Sequence, residues 1–265
     1  MTSKANDLPP ENKLIQGLWI GSSLSIMEQL SIASFLSNGH DYHLYIYDAI
    51  QNVPAGATVL DANEILPASM IFQYQQHKSV SGFSNFFRYK LLFEKGGWWA
   101  DTDVVCLKPF DIAGEYVFSS EIAGGKEFIN CGVVKAPPGS RAMEYAWNIC
   151  QTKQPEKLTW GEVGPHLIAE SIKAFGIDRF VMRPRIFCPL GYAEWDSVLN
   201  PNQPCDLDDS YAIHLWNEMW RRNKMDKDQS YHPGCLYERL KLKYLGQHDA
   251  GSIGSFTTQL SVTGR

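Results

Sequence analysis

Apolar residues follow two different spacings along the first half of the chain. Three runs rich in β-branched and aromatic residues, at 14–20, 42–47 and 57–60, have the length and composition of strands. Between the first two runs, residues 24–36 carry apolar side chains at helical spacing, and Ser23 is placed to cap that helix. The order strand, helix, strand predicts βαβ units and a largely parallel, buried sheet.

The same patterns continue through the rest of the chain. Residues 82–95 form the most regular helical pattern, and the Gly-Gly pair directly after it is typical of a helix end. Further strands are expected at 104–107, 116–120, 132–135, 180–188 and 211–216, and further helices at 140–150 and 166–175. With no internal repeat or interdomain linker, the sequence predicts one domain at 13–246. A flexible N-terminus is expected at 1–12 and a disordered tail, rich in Gly, Ser and Thr, at 247–265.

The composition is that of an ordinary globular protein, and it narrows the location and the partners. The 265 residues are 44% hydrophobic and 20% charged, which suits a single α/β core. The formal net charge is -5, so no nucleic-acid partner is expected. The chain lacks an apolar leader and any run of about 18 apolar residues, and its cysteines are scattered without a C-x-x-C pair. These features favour a cytoplasmic protein with reduced thiols.

Two carboxylates that follow the second predicted helix are the sharpest chemical feature. On an extended chain Asp101 and Asp103 would point to the same face, with Thr102 on the other. Paired carboxylate oxygens suit Mg²⁺ or Mn²⁺, and such an ion can hold a pyrophosphate and neutralise a leaving nucleoside diphosphate. The alternative is a solvated acidic turn, because Asp-x-Asp is common in proteins.

The residues around this pair carry a longer motif. Residues 83–110 contain R-Y-x-x-L from Arg88, then a Gly-Gly pair, and then the Asp-x-Asp pair. This stretch resembles the DXD sugar-binding region of a glycosyltransferase family (family 32). That family holds α-1,4-galactosyl- and N-acetylglucosaminyltransferases, initiating mannosyltransferases, and bacterial capsule and lipopolysaccharide enzymes. Trp19 at the end of the first strand and a late His-x-Trp at His214 are weaker similarities. The resemblance covers most of 13–221.

This resemblance implies a fold and a set of site residues. The implied fold is a GT-A-like α/β domain with a mostly parallel, Rossmann-like central sheet flanked by helices. The implied metal ligands, for Mn²⁺ or Mg²⁺, are Asp101, Asp103 and His214. The residues implied to contact the nucleotide-sugar donor are Trp19 against the base, Asn85, Arg88, Asp101 and His214. The residues implied in catalysis are Asp101, Asp103, Arg88 and Asn130.

Several of these residues also have purely structural interpretations. Arg88 could be a surface residue of its helix paired with Glu94 or Asp101, and Trp19 could belong to the core. His214, on an apolar strand, could be a satisfied core histidine. Glu162, the only carboxylate of a Gly-Pro element at 161–165, is interpreted as a loop residue or a helix N-terminal charge.

One residue departs from the family pattern. Asn85 stands where the family usually has an aspartate that reaches the hydroxyls of the donor sugar. Asparagine keeps the size and polarity of aspartate but loses its charge. Two interpretations follow: either the donor differs from the commonest ones in the family, or transfer is weakened.

The resemblance thus implies a metal-dependent, retaining glycosyltransferase. It would move a hexose from a nucleotide-diphosphate sugar, with a UDP-hexose as the expected donor, to an oligosaccharide or lipid-linked glycan in polysaccharide or lipopolysaccharide synthesis. A non-catalytic nucleotide-sugar- or glycan-binding relative is one alternative, and Asn85 is the feature that keeps it open. The other is a glycoside hydrolase, although its two carboxylates usually come from separate elements. Because such acceptors are often lipid-linked, a peripheral contact with the inner membrane face is also considered, but no amphipathic helix stands out.

Overall fold

The computed structural model describes residues 8–246 as a mixed α/β fold. Its strands are β1 (Leu14–Trp19), β2 (Asp41–Ile46), β3 (Thr58–Asp61), β4 (Gly97–Ala100), β5 (Val104–Cys106), β6 (Val117–Ala123), β7 (Lys126–Ala136) and β8 (Ala212–His214). Its α-helices are α1 (Pro10–Lys13), α2 (Ile26–Ser37), α3 (Ser81–Lys95), α4 (Arg141–Gln151), α5 (Leu167–Phe175), α6 (Asn217–Arg222) and α7 (Leu236–Tyr244). The tail expected at 247–265 and residues 1–7 of the expected flexible N-terminus lie outside the described residues.

The N-terminal helix α1 belongs to the folded domain, in contrast to the flexible segment expected through residue 12. Asn12 is buried, and its side-chain oxygen accepts hydrogen bonds from Trp98 Nε1 (3.1 Å) and Lys135 Nζ (2.6 Å). Its amide nitrogen donates to the carbonyl oxygen of Ile112 (3.2 Å). These three partners come from β4, β7 and the loop after β5, so α1 closes the amino end of the sheet.

The central sheet has the strand order β3-β2-β1-β4-β7-β6. Strands β3, β2, β1 and β4 pair in parallel, while β7 pairs antiparallel with both β4 and β6. The predicted α/β class with a mostly parallel, Rossmann-like sheet is therefore confirmed. The chain order of the parallel strands reverses direction between β1 and β4. Ligands of open α/β sheets bind at such a switch point, beyond the carboxyl ends of the strands.

Helix α2 begins two residues later than its pattern predicted, because a different serine caps it. Ser25 Oγ accepts a hydrogen bond from the backbone N–H of Met27 (3.3 Å), and Glu28 Oε2 accepts one from the backbone N–H of Ser25 (2.8 Å). This reciprocal capping box satisfies donors that the first helical turn leaves free. The prediction of Ser23 as the cap is therefore wrong by two residues. The sequence alone did not separate the two serines, because both precede the same apolar run.

The strand predicted at 180–188 is wrong. The segment instead contains two short 3-10 turns, Asp178–Phe180 and Pro184–Ile186, and pairs with the sheet only through a bridge between Val181 and Phe118. Pro184 cannot donate a ladder hydrogen bond, which ends any strand that its apolar neighbours would favour. The segment therefore packs beside the edge strand β6 instead of adding a strand to the sheet.

Helix α3 packs one apolar face against the sheet and turns polar side chains toward the end of β4. Phe83, Phe87 and Leu91 are fully buried, while Asn85 and Arg88 are buried among them. The glycine directly after this helix has a φ of +65°, which favours glycine. A Cβ added at this position would lie 2.4 Å from the backbone nitrogen of a proline, so no larger residue fits there. Among the described residues, no helix combines the length and the apolar character needed to cross a membrane.

Candidate active site

A turn between β4 and β5, and not the extended chain that was predicted, brings the two carboxylates together. Asp101 and Asp103 do not lie on an extended strand: the backbone N–H of Val104 donates to the carbonyl oxygen of Asp101 (3.0 Å), which closes a tight turn. The backbone N–H of Asp101 donates to the carbonyl of Gly132 on β7 (2.8 Å). The turn is thus tied to the neighbouring strand, and it directs both carboxylates toward the same point.

A histidine from the far end of the chain completes this cluster. Strand β8 pairs antiparallel with β5, and the register places His214 opposite Val104. One ligand atom each from Asp101, Asp103 and His214 lies within 4.8 Å of the other two. His214 Nε2 is 3.2 Å from Asp103 Oδ1. The pairing of β5 with β8 therefore brings together residues more than a hundred positions apart.

Asp103 is the most firmly held of the three. Its Oδ2 accepts a hydrogen bond from the backbone N–H of Asn217 (2.8 Å), at the first turn of α6. Its backbone carbonyl accepts from the N–H of Leu215 (2.9 Å). Burial alone would raise the pKa of Asp103, but the positive charge of His214 and the hydrogen bonds from His214 and the Asn217 backbone lower it below the ordinary value. Asp103 is therefore ionised at neutral pH.

His214 is buried and enclosed on both sides. Its ring stacks on Trp216, with ring centroids 3.9 Å apart and planes 22° from parallel. Its Nδ1 lies 4.0 Å from the Sγ of Cys188. Burial alone would lower the pKa of His214, but the adjacent Asp103 carboxylate raises it well above the ordinary value. His214 is buried, which is compatible both with a core histidine and with a metal ligand. Its Nε2, however, faces the carboxylate of Asp103 and not an apolar neighbour.

Arg88 lies behind Asp101, in a buried position. Its NH2 donates to Asp101 Oδ1 (2.5 Å), and its guanidinium lies 4.8 Å from the centre of the Trp99 ring. Trp99 Nε1 donates to the same Asp101 oxygen (2.7 Å). Of the two carboxylates predicted as structural partners, Arg88 pairs with Asp101, but in a buried position and not on a helix surface; Glu94 pairs with Lys90 (2.9 Å). Burial raises the pKa of Asp101, and the charge of Arg88 only partly offsets this rise.

Asn85 fixes the other end of the guanidinium. Arg88 NH1 donates to Asn85 Oδ1, and the Sγ of Cys131 lies 3.5 Å from the same oxygen. An added Cβ at Gly164 would lie 3.0 Å from Asn85 Nδ2, so the Gly-Pro element contacts this side chain closely. Because Asn85 is neutral, Arg88 is balanced by a single carboxylate, that of Asp101.

Two carboxylates and one imidazole form a donor set that fits a divalent ion. Mn²⁺ accepts mixed oxygen and nitrogen ligands, whereas Mg²⁺ prefers oxygen alone. The residues present therefore fit Mn²⁺ better than Mg²⁺. His214 Nε2 and Asp103 Oδ1 form an ion pair (3.2 Å), so a divalent ion bound by both atoms would take the place of the proton between them.

Two family models match the chain around this cluster. The glycosyltransferase sugar-binding region containing the DXD motif matches residues 25–119, and the alpha 1,4-glycosyltransferase conserved region matches residues 156–244. Asp101 and Asp103 fall inside the first match, and His214 falls inside the second. The chain is a glycosyltransferase with a DXD sugar-binding region. This assignment removes the support for the glycoside hydrolase alternative.

Several solved structures similar to this glycosyltransferase are themselves described as glycosyltransferases. The PaToxG glycosyltransferase is 17% identical, with 66% of this chain and 74% of that chain covered and a TM-score of 0.47. GlyE of Streptococcus pneumoniae TIGR4 is 11% identical, with 93% and 66% covered and a TM-score of 0.43. An active-site mutant of LgtC is 12% identical, with 94% and 98% covered and a TM-score of 0.45.

In this glycosyltransferase Trp19 lies at the carboxyl end of β1 and is partly exposed. Its Nε1 donates to the carbonyl oxygen of Ser23 (3.1 Å), which fixes the ring at the start of the loop. Lys227 Nζ lies 5.7 Å from the ring centre and pairs with the fully buried Glu28 (2.5 Å). The ring is thus partly exposed, and its buried part packs against the apolar core, as the core interpretation predicted only in part.

Asn130 lies behind the cluster, with Gly132 between them. Its Oδ1 accepts a hydrogen bond from the backbone N–H of Gly132 (2.6 Å). A Cβ at Gly132 would lie 2.9 Å from this oxygen and 3.0 Å from His214 Cε1, so only glycine fits between the two side chains. The contacts of Asn130 thus support the position of the strand beneath the cluster.

Glu162 is held by a surface contact, because it pairs with Lys153 (2.8 Å). It is the first residue of a π-helical turn, Glu162–His166, that leads into α5. Of its two structural interpretations, the helix N-terminal charge is therefore the one that the structure shows.

Sequence reasoning missed Glu121 on β6. This carboxylate is buried, and its Oε1 accepts a hydrogen bond from Asn130 Nδ2 (3.1 Å). Burial raises the pKa of Glu121 above its ordinary value. The one signal in the sequence is an acidic residue inside an otherwise apolar strand pattern, VFSSEIA.

Proposed function

We propose that this glycosyltransferase is metal-dependent and transfers a hexose from a UDP-sugar with retention of the anomeric configuration. The observation that carries the proposal is the convergence of Asp101, Asp103 and His214 within 4.8 Å, beyond the carboxyl end of β4. Trp19 ends the neighbouring parallel strand β1, so the cluster stands at the switch point of the sheet. A nucleotide placed there has an aromatic ring on one side and the acidic cluster on the other.

Asp101, Asp103 and His214 would hold Mn²⁺, which supplies positive charge against the diphosphate of the donor. Asp103 is ionised and held by two elements, so it needs little reorganisation to act as a ligand. Asp101 already shares one oxygen with Arg88 and Trp99, which leaves its second oxygen to face the cluster.

Arg88 would act as the fixed positive charge of the donor site. It is 2% exposed and is gripped between Asn85 and Asp101, so its position is set before the donor binds. A charge that does not have to reorganise stabilises developing negative charge most effectively. The neutral Asn85 leaves more net positive charge here than an aspartate would.

Trp19 would bind the uracil ring. Its ring is partly exposed at the carboxyl end of β1, and an aromatic face is a natural partner for a nucleobase. Lys227, next to the ring and paired with Glu28, would close this side of the base site.

Transfer would follow a front-face displacement. The bond between the anomeric carbon and the phosphate oxygen breaks while the acceptor oxygen bonds to the same face of that carbon. The departing phosphate oxygen takes the proton of the acceptor hydroxyl, so atoms and charge balance without a protein nucleophile. Arg88 and a divalent ion held by the acidic cluster would bind the diphosphate, which would keep the leaving oxygen beside the acceptor.

The acceptor class proposed is an oligosaccharide or a lipid-linked glycan, as in polysaccharide or lipopolysaccharide synthesis. A cytoplasmic location suits a UDP-sugar donor, and a peripheral contact with the inner membrane face would suit a lipid-linked acceptor. Both proposals rest on the DXD sugar-binding region of the chain.

Turnover of defined donors tests this function. Purified protein is incubated with Mn²⁺, UDP-glucose or UDP-galactose, and a panel of p-nitrophenyl pyranosides, while UDP release and product are measured. We expect UDP release that EDTA abolishes, and a product whose anomeric proton coupling by NMR is that of the α-linked donor.

The outcomes separate the alternatives. A β-linked product would contradict retention, and turnover that is insensitive to EDTA would contradict metal dependence. Metal-dependent UDP binding with no turnover of any donor or acceptor would favour a non-catalytic binding protein. Asp111→Ala, an exposed aspartate on the loop after β5, serves as the matched control for Asp103→Ala and should leave turnover unchanged.

A further inference from the structure

Glu121 carries a carboxylate oxygen that nothing in the described part of the chain satisfies. The residue is 8% exposed, and its Oε1 accepts from Asn130 Nδ2 (3.1 Å). Its Oε2 is buried without a hydrogen-bond partner among residues 8–246. The backbone N–H of Tyr192 lies near enough to lower the pKa of Glu121, yet it makes no hydrogen bond of normal geometry to Oε2. Buried carboxylate oxygens are costly to leave unpaired, so a ligand is a natural source of the missing donor.

The sheet order places Glu121 on one side of the Asp101, Asp103 and His214 cluster, and the proposed nucleotide site at Trp19 on the other. Trp19 ends β1, Asp101 follows the next strand β4, and Glu121 lies on β6, beyond β7 at the sheet edge. Because β7 runs antiparallel to β4, the β6–β7 hairpin extends past the carboxyl end of β4. A donor that spans from Trp19 to the cluster therefore leaves the hairpin side free for the second substrate.

An aromatic wall connects this side to the cluster. Tyr192 is 45% exposed, and its ring centroid is 6.4 Å from that of Trp216, which in turn stacks on His214. Gly191 packs its backbone so tightly against β6 that a Cβ there would lie 2.3 Å from the carbonyl oxygen of Ile122. Tyr192 is thus held directly over the strand that carries Glu121.

A cavity lies along the same strand. It has a volume of about 440 Å³ and is lined by Ile122, Glu127, Arg183, Cys188, Gly191 and Glu194 among others. Cys188 in the cavity wall has its Sγ 4.0 Å from His214 Nδ1. Glu121 and Tyr192 do not line the cavity themselves, but their chain neighbours Ile122 and Gly191 do. The size of the cavity is within the range that small-molecule ligands occupy.

We infer that Glu121 and Tyr192 form the acceptor subsite: Glu121 Oε2 accepts a hydrogen bond from a hydroxyl of the acceptor saccharide, and the Tyr192 ring packs against a sugar ring. This inference rests on the proposed function. A sugar hydroxyl donates the hydrogen bond that the buried oxygen lacks, and the apolar face of a pyranose suits an exposed aromatic ring.

The first test needs no acceptor. Glu121→Gln keeps a carbonyl oxygen that can accept the hydrogen bond from Asn130. It removes the negative charge of a carboxylate whose second oxygen is unpaired. The melting temperature of the substrate-free variant should equal or exceed that of the wild type, because a neutral amide is cheaper to bury. A fall of more than about 3 °C would show that the carboxylate supports the fold, and would overturn the inference.

The second test measures transfer to the p-nitrophenyl pyranoside that the wild type uses best. Losing a hydrogen bond to a charged group should lower kcat/KM for this acceptor about 10- to 100-fold in Glu121→Gln. Tyr192→Ala should raise the acceptor KM. The KM for the UDP-sugar, and the affinity for UDP with Mn²⁺, should stay at wild-type values in both variants.

Controls separate this inference from the proposed function. Glu115→Gln, an exposed glutamate just before β6, should leave all these constants unchanged. Wild-type protein that binds no UDP would contradict the proposed function itself. Wild-type transfer that Glu121→Gln leaves unchanged, or an equal loss of donor and acceptor affinity, would overturn the acceptor subsite alone.

Discussion

Arg88 shows how a single residue of the site depends on buried partners. Its contacts to Asn85, Asp101 and Trp99 could be predicted only in part. The R-Y-x-x-L motif identified the arginine, and its three-residue spacing from Asn85 fits one helix face. Its contact with Trp99 and the burial of the guanidinium depend on how α3 packs on β4, which no local pattern encodes.

Replacement of Arg88 by methionine should destabilise the protein and abolish turnover. Asp101 would keep its charge in a largely buried place without its partner, and breaking such a pair costs about 3–5 kcal/mol. Because the Asp101 side chain is 27% exposed, the loss of unfolding free energy measured in urea should lie at the lower end of this range, about 3 kcal/mol. Lys95→Met, on the exposed end of the same helix, should change stability by about 0.5 kcal/mol or less. Wild-type stability in Arg88→Met would contradict the buried pair.

His214 should release a proton when Mn²⁺ binds. The Asp103 carboxylate raises its pKa well above the ordinary value, so at neutral pH the imidazole carries a proton, whereas a metal binds the neutral ring. The affinity for Mn²⁺ should therefore fall as the pH is lowered and increase as the pH rises toward the folded pKa of His214.

Calorimetry in two buffers of different ionisation enthalpy, at one pH, measures this proton release directly. We expect the heat of Mn²⁺ binding to depend on the buffer in the wild type and to lose that dependence in His214→Asn. A buffer-independent heat in the wild type would show that His214 is not a ligand.

At the scale of elements, most strands and the helices with a clear apolar period were predicted, whereas the short polar helices were not. Strands β1, β2 and β3 and helices α2, α3, α4 and α5 lie within a few residues of their predicted positions. The short helices α6 and α7 carry many charged residues and were missed. Residues 101–103 were predicted as extended chain but form a turn. The turn could not be predicted locally, because the hydrogen bond that orients it joins Asp101 to Gly132 on a distant strand.

The contact between β1 and β2 beneath this turn gives a prediction of its own. A Cβ at Gly17 would lie 2.4 Å from the hydroxyl oxygen of Tyr42, which is buried and has no hydrogen-bond partner among the described residues. Gly17→Ala should lower the free energy of unfolding by about 1–3 kcal/mol, through overpacking. Tyr42→Phe should change it by less than about 1 kcal/mol, because its hydroxyl makes no bond to lose.

The double variant distinguishes overpacking from a loss of backbone freedom. Removing the hydroxyl makes room for the new methyl group, so Gly17→Ala combined with Tyr42→Phe should be more stable than Gly17→Ala alone by denaturant unfolding. Additive effects of the two substitutions would contradict the close contact.

At the scale of the whole molecule, the sheet arranges the candidate site as a line. Trp19 on β1, the turn after β4 and Glu121 on β6 follow one another across the carboxyl edge of the sheet. The parallel half of this order follows from the βαβ pattern, which could be read from the sequence. The antiparallel addition of β7 and β6 and the pairing of β5 with β8 could not, because they join segments far apart in the chain. This is why the carboxylate pair was found from sequence but Glu121 was not.

Titration of UDP into the protein by calorimetry tests the central claim most directly. The account predicts micromolar binding with Mn²⁺ that is lost with EDTA and lost in Asp103→Ala, while Asp111→Ala binds as the wild type does. Melting temperatures measured on the same samples show that each variant is folded. Equal binding with and without metal, or full binding by a folded Asp103→Ala variant, would contradict a nucleoside-diphosphate site built on Asp101, Asp103 and His214.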